Sequence, residues 1–139
     1  MMKDPAKTIG NMIDKSSVAT LCYIDDDGFP TGRAMLAPRE REGIQALWFT
    51  TNTSSDKVRC FRKNPRASVY FVDRRFFRGV SLSGTVEVLE TPEIKARIWR
   101  EGDQRYYPGG VADPDYCVLR FTACKGRYYS NYRSEDFDV

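Results

Sequence analysis

The clearest pattern in the chain is the stretch Val80-Ser81-Leu82-Ser83-Gly84-Thr85-Val86-Glu87-Val88-Leu89. Leu82, Val86 and Val88 fall on one face of an extended segment, and the polar residues at 81, 83, 85 and 87 fall on the other. This alternation predicts a long strand with one apolar face and one polar face. Because its apolar face needs a cover, the strand favours a β-rich fold with a shared core.

Shorter segments with strand character lie on both sides of this stretch. We expect further strands at Val18–Ile24, Thr31–Ala37, Ile44–Thr50, Ala67–Val72, Tyr116–Ala123 and Arg127–Tyr132. We expect helices that begin at Asp4-Pro5, that span Asp56–Lys63, and that run from Thr91-Pro92 to near Arg100. Residues 38–43 are typical of a charged turn, and residues 104–115 of a loop rich in Tyr, Pro and Gly. Since most strands follow each other through short turns, the pattern favours an antiparallel barrel over a doubly wound parallel sheet.

Length and composition narrow the classes of function. The 139 residues correspond to about one domain, so we expect a single domain over residues 1–139. A net charge of +3 is too small to indicate nucleic acid by itself. Histidine is absent, which excludes a Ser-His-Asp triad, a Cys-His pair and an HExxH zinc helix. Chemistry would therefore depend on other side chains or on a bound cofactor.

The cysteines and the N-terminus indicate the compartment. The four cysteines form no CxxC pair and match no zinc or iron–sulfur spacing; they are Cys22, Cys60, Cys117 and Cys124. We expect packed, reduced thiols, which suit a cytoplasmic protein. Residues 1–13 lack the long apolar core of a signal peptide, and no apolar stretch is long enough to span a bilayer. We accordingly expect neither a bound metal nor a membrane partner.

A first candidate site is the stretch Trp48-Phe49-Thr50-Thr51-Asn52-Thr53-Ser54-Ser55-Asp56-Lys57. It predicts a strand end, a hydroxyl-rich loop and a helix start with a lysine in its first turn. Free backbone N–H groups at a helix start favour an anion, and Thr51, Ser55 and Lys57 can add donors to a phosphate. The alternative is an ordinary helix cap with a solvated lysine, and spacing alone favours that alternative.

A second candidate site is the hairpin strand in Gly28-Phe29-Pro30-Thr31-Gly32-Arg33-Ala34-Met35. Arg33 stands beside small and apolar residues, where a simple core would not place it. It can reach the same phosphate while the strand backbone faces a flat heterocycle. The alternative is a surface salt bridge to one of the many acidic residues.

Two further segments carry weaker signals. Arg74-Arg75-Phe76-Phe77-Arg78 interleaves cations with aromatic rings, a pattern that can bind single-stranded nucleic acid. A charged turn flanked by core phenylalanines is the favoured interpretation, so we expect no nucleic-acid partner. The loop Tyr106–Asp115 can cover a cleft or a partner surface.

Taken in order, these segments resemble the pyridoxamine 5′-phosphate oxidase-like, flavin-binding split β-barrels, and among them the small general stress proteins. The resemblance covers about residues 5 to 132. The matching residues are Gly28-x-Pro30-x-x-Arg33-x-Met35, Leu47-Trp48-Phe49-Thr50-Thr51, Ser55-Asp56-Lys57-Val58, Asn64-Pro65, Val80-Ser81-Leu82-Ser83-Gly84, Ile98-Trp99, Tyr107-Pro108-Gly109-Gly110 and Asp113-Pro114. The resemblance implies a mainly β (α+β) fold, a split, antiparallel, Greek-key-like barrel with a few short peripheral helices.

The resemblance also implies a cofactor and a partner. In such proteins two barrels form a homodimer and FMN lies in the cleft between them, so residues 1–139 would form one FMN-binding domain. By position, Arg33, Thr51, Ser55 and Lys57 would hold the phosphate. The residues that would run beside the ring and the ribityl chain or line the site are Ala34, Met35, Leu36, Phe49 and Thr50.

The chain departs from the true oxidases at three places. Asp56 stands where the oxidases carry arginine, and a carboxylate there opposes a phosphate unless it points away or pairs with an arginine. Arg78-Gly79 replaces an Arg-Gln pair, which removes a glutamine contact to the flavin. The C-terminal substrate segment of the oxidases is absent. We therefore do not expect pyridoxamine phosphate oxidase activity.

The sequence thus predicts a flavin-dependent oxidoreductase that binds FMN, with FAD as the alternative, and acts on an unknown small molecule. The flavin would carry the redox chemistry, because no side chain stands out as a general acid or base. Neither the substrate nor the electron donor follows from the sequence, and a deazaflavin or haem stays open as the cofactor. The alternative function is a stress-associated module that binds a flavin or another flat ligand without turnover.

Overall fold

A computed structural model describes residues 2–139 of the protein. Within this range, eight strands form one antiparallel sheet: β1 Val18–Ile24, β2 Pro30–Leu36, β3 Glu40–Glu42, β4 Ala46–Asn52, β5 Arg66–Asp73, β6 Arg78–Leu89, β7 Tyr116–Ser130 and β8 Arg133–Asp138. The helices are α1 Pro5–Lys15, α2 Asp56–Lys63 and α3 Pro92–Ile98, with two short 3-10 turns at Asp103–Arg105 and Gly110–Ala112. The spatial order of the strands is β2-β1-β5-β6-β7-β4-β3, and β8 lies beside β7.

The sheet closes on itself where the chain passes from β2 to β3. These two strands stand at opposite ends of the spatial order, and only residues 37–39 join them. The amide of Ala37 donates to the carbonyl of Ser17 (3.1 Å), and the amide of Arg39 donates to the carbonyl of Trp48 (2.7 Å). The fold is therefore the mainly β split barrel that the sequence predicts, and its split lies between β2 and β4.

The barrel interior holds the main core. Alternate residues of each strand point inward, and the fully buried ones include Leu21, Val69, Leu82, Leu119 and Phe121. In β6 the apolar face is buried at Leu82 and Val86 while Thr85 and Glu87 are exposed, which confirms the predicted alternation. A second, smaller cluster packs under α3; it contains Trp48, Ile98, Tyr107, Tyr116 and Val118.

One buried ion pair ties the smaller cluster to the barrel. Arg39 donates from both terminal nitrogens to the Asp103 carboxylate, at 2.9 and 2.8 Å. Their side chains are 7% and 5% exposed. Although burial opposes it, hydrogen bonds from Arg39 and from the amide of Arg100 hold the pKa of Asp103 below its ordinary value. Removing one partner would leave the other buried and unpaired.

The C-terminal third differs from the sequence prediction. Residues 116–123 and 127–132 were expected as two strands, but β7 runs unbroken from Tyr116 to Ser130. Gly126 lies in mid-strand, and the ring of Phe137 in β8 occupies the space that a side chain there would take, 2.3 Å from an ideal Cβ. The chain then turns at Asn131 and Tyr132, both with positive φ, into β8.

Two smaller expectations are also corrected. The segment expected as a charged turn contains β3, which pairs with β4 over three residues. All four cysteines are free, and Cys60 and Cys117 are buried, but Cys22 is only partly buried and Cys124 is exposed. The expectation of packed thiols is therefore wrong for Cys124. In residues 2–139, no helix has both the length and the apolar character that crossing a bilayer would require.

Candidate functional site

The candidate site is the corner between β4 and α2, where the loop 53–55 joins them. Asp115 shapes this loop: its carbonyl accepts from the amide of Thr53 (2.9 Å), and its carboxylate accepts from the amide of Ser54 (2.7 Å). The same carboxylate accepts from the side-chain amide of Asn52 (3.0 Å). The loop is thus held in place by a residue more than 60 positions away along the chain, and it leads into the first turn of α2.

Two hydroxyl groups at this corner lack partners. Ser55 is the N-cap of α2, but its side chain makes no capping hydrogen bond. Within the described residues, the hydroxyl oxygens of Ser55 and Thr53 are buried and have no hydrogen-bond partner. The Thr53 hydroxyl lies near the Cys117 thiol, where it opposes the rise in pKa that burial causes. Buried hydroxyls are nearly always paired with protein, water or a ligand. The corner therefore has unused hydrogen-bonding capacity beside a helix start, whose backbone N–H groups favour an anion.

Two cations converge on the same corner. Lys57 is partly buried in the first turn of α2, and Arg33 is exposed on β2. Burial lowers the pKa of Lys57, and the nearby charge of Arg33 lowers it further. Among residues 2–139, neither cation forms a salt bridge. Arg33 does lie near enough to Asp56 to contribute to the lowering of that carboxyl's pKa, after Arg59 and Tyr23. The corner nevertheless holds two like charges close together, which favours binding of an anion.

Asp56, the residue that departs from the oxidases, is occupied by its own neighbours. Its carboxylate pairs with Arg59, one helical turn later, and accepts a hydrogen bond of 3.0 Å from the hydroxyl of Tyr23. Arg59 also donates to Asp26 at 2.6 Å. The hydrogen bonds from Arg59 and then Tyr23 lower the pKa of Asp56. Its negative charge is therefore balanced locally rather than directed at an incoming anion.

The candidate residues of β2 divide between two faces. Arg33 stands opposite Leu21, and Met35 stands opposite Ala19, so both point to the inner face of the sheet. Met35 is buried there. Ala34 and Leu36 lie on the outer face and are exposed, Leu36 by 52%. A ligand that touches all four residues must cross the open edge of β2, since no strand within residues 2–139 pairs with that edge.

The candidate residues of β4 are placed differently from one another. Phe49 is 1% exposed and belongs to the barrel core, and Thr51 is buried on the same face. Thr50 points to the other face, towards Tyr107. Burial raises the pKa of the Tyr107 phenol, and the nearby Thr50 hydroxyl opposes this rise. The structure therefore brings Arg33, Ser55 and Lys57 together, with Thr51 in the adjoining strand end, but buries the ring of Phe49 away from the corner.

Three residues of the corner were missed at the level of sequence. Thr53 adds a second unpartnered hydroxyl, and the alternation Thr51-x-Thr53-x-Ser55 was the signal for it. Arg59 balances Asp56, and its spacing of three residues on a helix was a usable signal. Tyr23 holds Asp56 from a different strand, 33 positions away, and no local pattern indicates that contact.

The barrel and this basic corner define a protein of the split-barrel class that the sequence resembles. The family model described as "Pyridoxamine 5′-phosphate oxidase" matches residues 6–130, and the chain belongs to that family.

Solved structures agree with this assignment. A Clostridium acetobutylicum protein described as related to general stress protein 26 of Bacillus subtilis is 32% identical, with a TM-score of 0.91 over 100% of this chain and 97% of that one. General stress protein 26 from Bacillus anthracis is 18% identical, with a TM-score of 0.79 over 96% and 98% of the two chains. A pyridoxamine 5′-phosphate oxidase-related, FMN-binding protein from Nostoc punctiforme is 12% identical, with a TM-score of 0.75 over 100% and 98%. At these low identities the last two show the fold alone. No curated protein is similar enough to the chain to match it.

Proposed function

We propose that this protein binds FMN as a homodimer and acts as a flavin-dependent oxidoreductase on a small molecule. The observation that carries the proposal is the corner at the start of α2. There, two cations that form no salt bridge within residues 2–139, Arg33 and Lys57, stand close together. Beside them lie the buried hydroxyls of Thr53 and Ser55, which have no hydrogen-bond partner in the same range.

The residues present fit the phosphate of FMN. A phosphate monoester carries about −1.5 to −2 charges near pH 7 and three strong acceptor oxygens. Arg33 and Lys57 supply charge, Ser55 and Thr53 supply hydroxyl donors, and the first turn of α2 supplies backbone N–H groups. Asp56 does not oppose this fit, because Arg59 balances it.

The open edge of β2 is the surface we assign to the ring. Its inner face carries Arg33, and its outer face carries Ala34 and Leu36, so a cofactor anchored at the corner passes along that edge. Edge strands present unpaired backbone N–H and C=O groups. Such groups suit the polar rim of an isoalloxazine ring. When bound there, FMN would supply the transfer of electrons or hydride, and Arg33, Lys57 and the edge of β2 would bind and orient it.

The outer face of β1, β2 and β5 is the surface we assign to the second subunit. Val18, Leu36, Tyr70 and Val72 are 53%, 52%, 41% and 49% exposed. Val18 pairs directly with Leu36, and Tyr70 pairs with Thr20 one step along the same face. Contiguous exposed apolar patches commonly mark protein interfaces. Because Ala34 and Leu36 belong to this face, a second copy would form the other wall of the cofactor cleft.

The free cysteines support a reducing compartment, so we place the activity in the cytoplasm.

The proposal is tested by adding FMN to the purified protein and following flavin absorbance through gel filtration. We expect flavin to elute with the protein, at a light-scattering mass of twice the 16.0 kDa of one chain. FAD, titrated in parallel, decides between the two flavins. A colourless product without measurable affinity for FMN, or a monomer that binds it, would contradict the proposal. Reduction of the bound flavin by NADH or NADPH separates an oxidoreductase from a module that only stores the flavin.

A further inference from the structure

A second basic site lies away from the corner, between the end of α1 and the hairpin that joins β5 to β6. It is a cleft of about 740 Å³. Four of its lining residues are basic, Lys15, Arg74, Arg75 and Arg78, and only Asp73 is acidic. The remaining lining residues are Met12, Ser16, Ser17, Val18 and Val72. An imbalance of this kind within one cleft favours a negatively charged occupant.

The single acid of the cleft is already in use. Asp73 accepts from Arg78 at 2.7 Å, and its carboxylate is 3.7 Å from Arg75. The hydrogen bond from Arg78 lowers the pKa of Asp73, so the carboxylate is charged and committed at neutral pH. Neither Lys15 nor Arg74 forms a salt bridge within residues 2–139. The cleft therefore keeps a net positive charge after its internal pairing.

Two of the arginines share one aromatic neighbour, although Arg74 and Arg75 are exposed to solvent. The guanidinium groups of Arg75 and Arg78 lie against the ring of Phe76, at 5.2 and 5.5 Å from its centre. The Nε of Arg78 is buried and has no hydrogen-bond partner in the described residues. A buried, unpartnered N–H group on a charged side chain is costly unless something accepts its hydrogen bond. The guanidinium already bonds Asp73 and lies near Tyr128, so its Nε represents unused donor capacity at the base of the hairpin.

The cleft adjoins the surface that we assign to the flavin ring. Val18, which lines the cleft, is the direct partner of Leu36 across the β1–β2 ladder. Val18 and Val72 also belong to the outer face assigned to the second subunit. An occupant of the cleft would therefore lie beside the flavin at the edge of the subunit interface.

From this placement we infer that the cleft binds the phosphate or carboxylate group of the substrate, and that the substrate class is a small organic anion. That the occupant is a substrate rests on the proposed function, whereas the anion site itself is inferred from the residues of the cleft. It assigns a role to the Arg74–Arg78 segment, which the FMN corner does not use.

The test follows backbone amide chemical shifts of FMN-free protein during titration with inorganic pyrophosphate, and separately with citrate, at constant ionic strength. The Lys57→Met variant is the background, so that the corner at α2 does not compete. We expect saturable shifts in residues 15–18 and 72–78. The Arg75→Gln variant should weaken this binding roughly tenfold, the change that corresponds to 1.4 kcal/mol.

Matched variants separate the site from general surface charge. Arg127 is exposed and paired with Asp136 on the same sheet but outside the cleft, so Arg127→Gln should leave the affinity unchanged. Lys15→Gln, on a different element, should repeat the loss even if Arg75→Gln disturbs the hairpin. Absence of shifts in the cleft, or equal affinity in all variants, would overturn the inference. So would tighter binding of a single-stranded oligonucleotide than of pyrophosphate at equal salt.

A parallel titration of the wild-type protein with FMN keeps the two proposals distinguishable. Shifts in residues 53–58 with FMN, but none in the cleft with either anion, would leave the FMN proposal standing and remove the substrate site. Anion binding in the cleft without FMN binding would contradict the FMN proposal and leave the anion site supported.

Discussion

Replacing Lys57 by methionine should weaken FMN binding without reducing the stability of the fold, a combination that a purely structural lysine would not show. The change keeps the length of the side chain and removes its charge. Lys57 is partly buried, has no acidic partner within residues 2–139, and has a pKa that burial and Arg33 hold below 10.5. Its charge therefore opposes folding of the FMN-free protein but should stabilise a bound phosphate. We expect the variant to fold as well as the wild type and to bind FMN less tightly.

The expected sizes follow from the environment of the side chain. A hydrogen bond to a charged group contributes about 1.5–3 kcal/mol, which corresponds to a roughly 10- to 150-fold rise in the Kd for FMN. The free energy of unfolding of the FMN-free variant should equal or slightly exceed that of the wild type, within about 0.5 kcal/mol.

The charge of Lys57 should also affect how FMN affinity and the stability of the FMN-free protein depend on pH. The pKa of Lys57 lies below its ordinary value of 10.5, so the wild type loses this charge earlier than an exposed lysine as the pH rises. FMN affinity should therefore decline at alkaline pH below 10.5 in the wild type. Because the unfolded chain still binds that proton, the stability of the FMN-free protein should rise over the same interval. Both trends should be weaker in Lys57→Met.

The assay is FMN fluorescence quenching for affinity and urea unfolding for stability. Lys63→Met is the control, because Lys63 lies on the same helix, is 64% exposed and pairs with Asp26 at 3.3 Å. It should leave the Kd for FMN unchanged. An unchanged Kd in Lys57→Met, or a loss of stability larger than the loss of FMN affinity, would refute the assignment of Lys57 to a phosphate.

Three further predictions concern the scaffold that positions the corner. Replacing Asp103 by alanine should reduce the free energy of unfolding by about 3–5 kcal/mol, because Arg39 would stay buried without its partner. The double variant Arg39→Met, Asp103→Leu should recover most of that loss, as measured by urea unfolding. The wild type should also lose stability as the pH falls below 3.8, the ordinary value for Asp103, and this slope should be shallower in the double variant. Gly84→Ala should destabilise the protein by about 2 kcal/mol or more, since its Cβ would stand 1.9 Å from a backbone oxygen of β7. Gly79→Ala should cost far less, because its Cβ would meet only the movable end of a tyrosine side chain. Thermal unfolding of the two variants measures this difference. Tyr132→Gly should raise the free energy of unfolding by roughly 0.5–1 kcal/mol, because Tyr132 is 96% exposed and has a φ of 62°; a drop in stability would show that its ring makes a contact that favours the fold.

The local elements of the fold could be predicted from the sequence because their patterns are local. The alternation in β6 and the polar start of α2 are contained in a few consecutive residues, and α2 spans the predicted residues 56–63. The end of the chain could not be predicted in this way. Residues 116–123 and 127–132 each have strand character, but pairing with β6 on one side and β8 on the other joins them into the single strand β7.

The candidate site, too, could be predicted from the sequence only where its residues belong to one local segment. The sequence indicates which residue types gather at the start of α2, since Ser55 and Lys57 belong to one segment. Which charges remain unpaired there depends on contacts between distant segments. Arg59 balances Asp56, and Tyr23 reaches Asp56 from another strand, while Lys57 forms no salt bridge in the described part of the chain. The division of β2 between two faces also becomes visible only through its register with β1.

The measurement that tests the central claim most directly compares the affinities of the wild-type protein for FMN and for riboflavin, which differ only in the phosphate. If Arg33 and Lys57 hold that phosphate, FMN should bind at least ~100-fold more tightly, the ratio that two charged hydrogen bonds of about 1.5 kcal/mol each imply. Most of this advantage should disappear in the Arg33→Met, Lys57→Met double variant. Equal affinities for the two ligands in the wild type would show that the corner does not bind the phosphate.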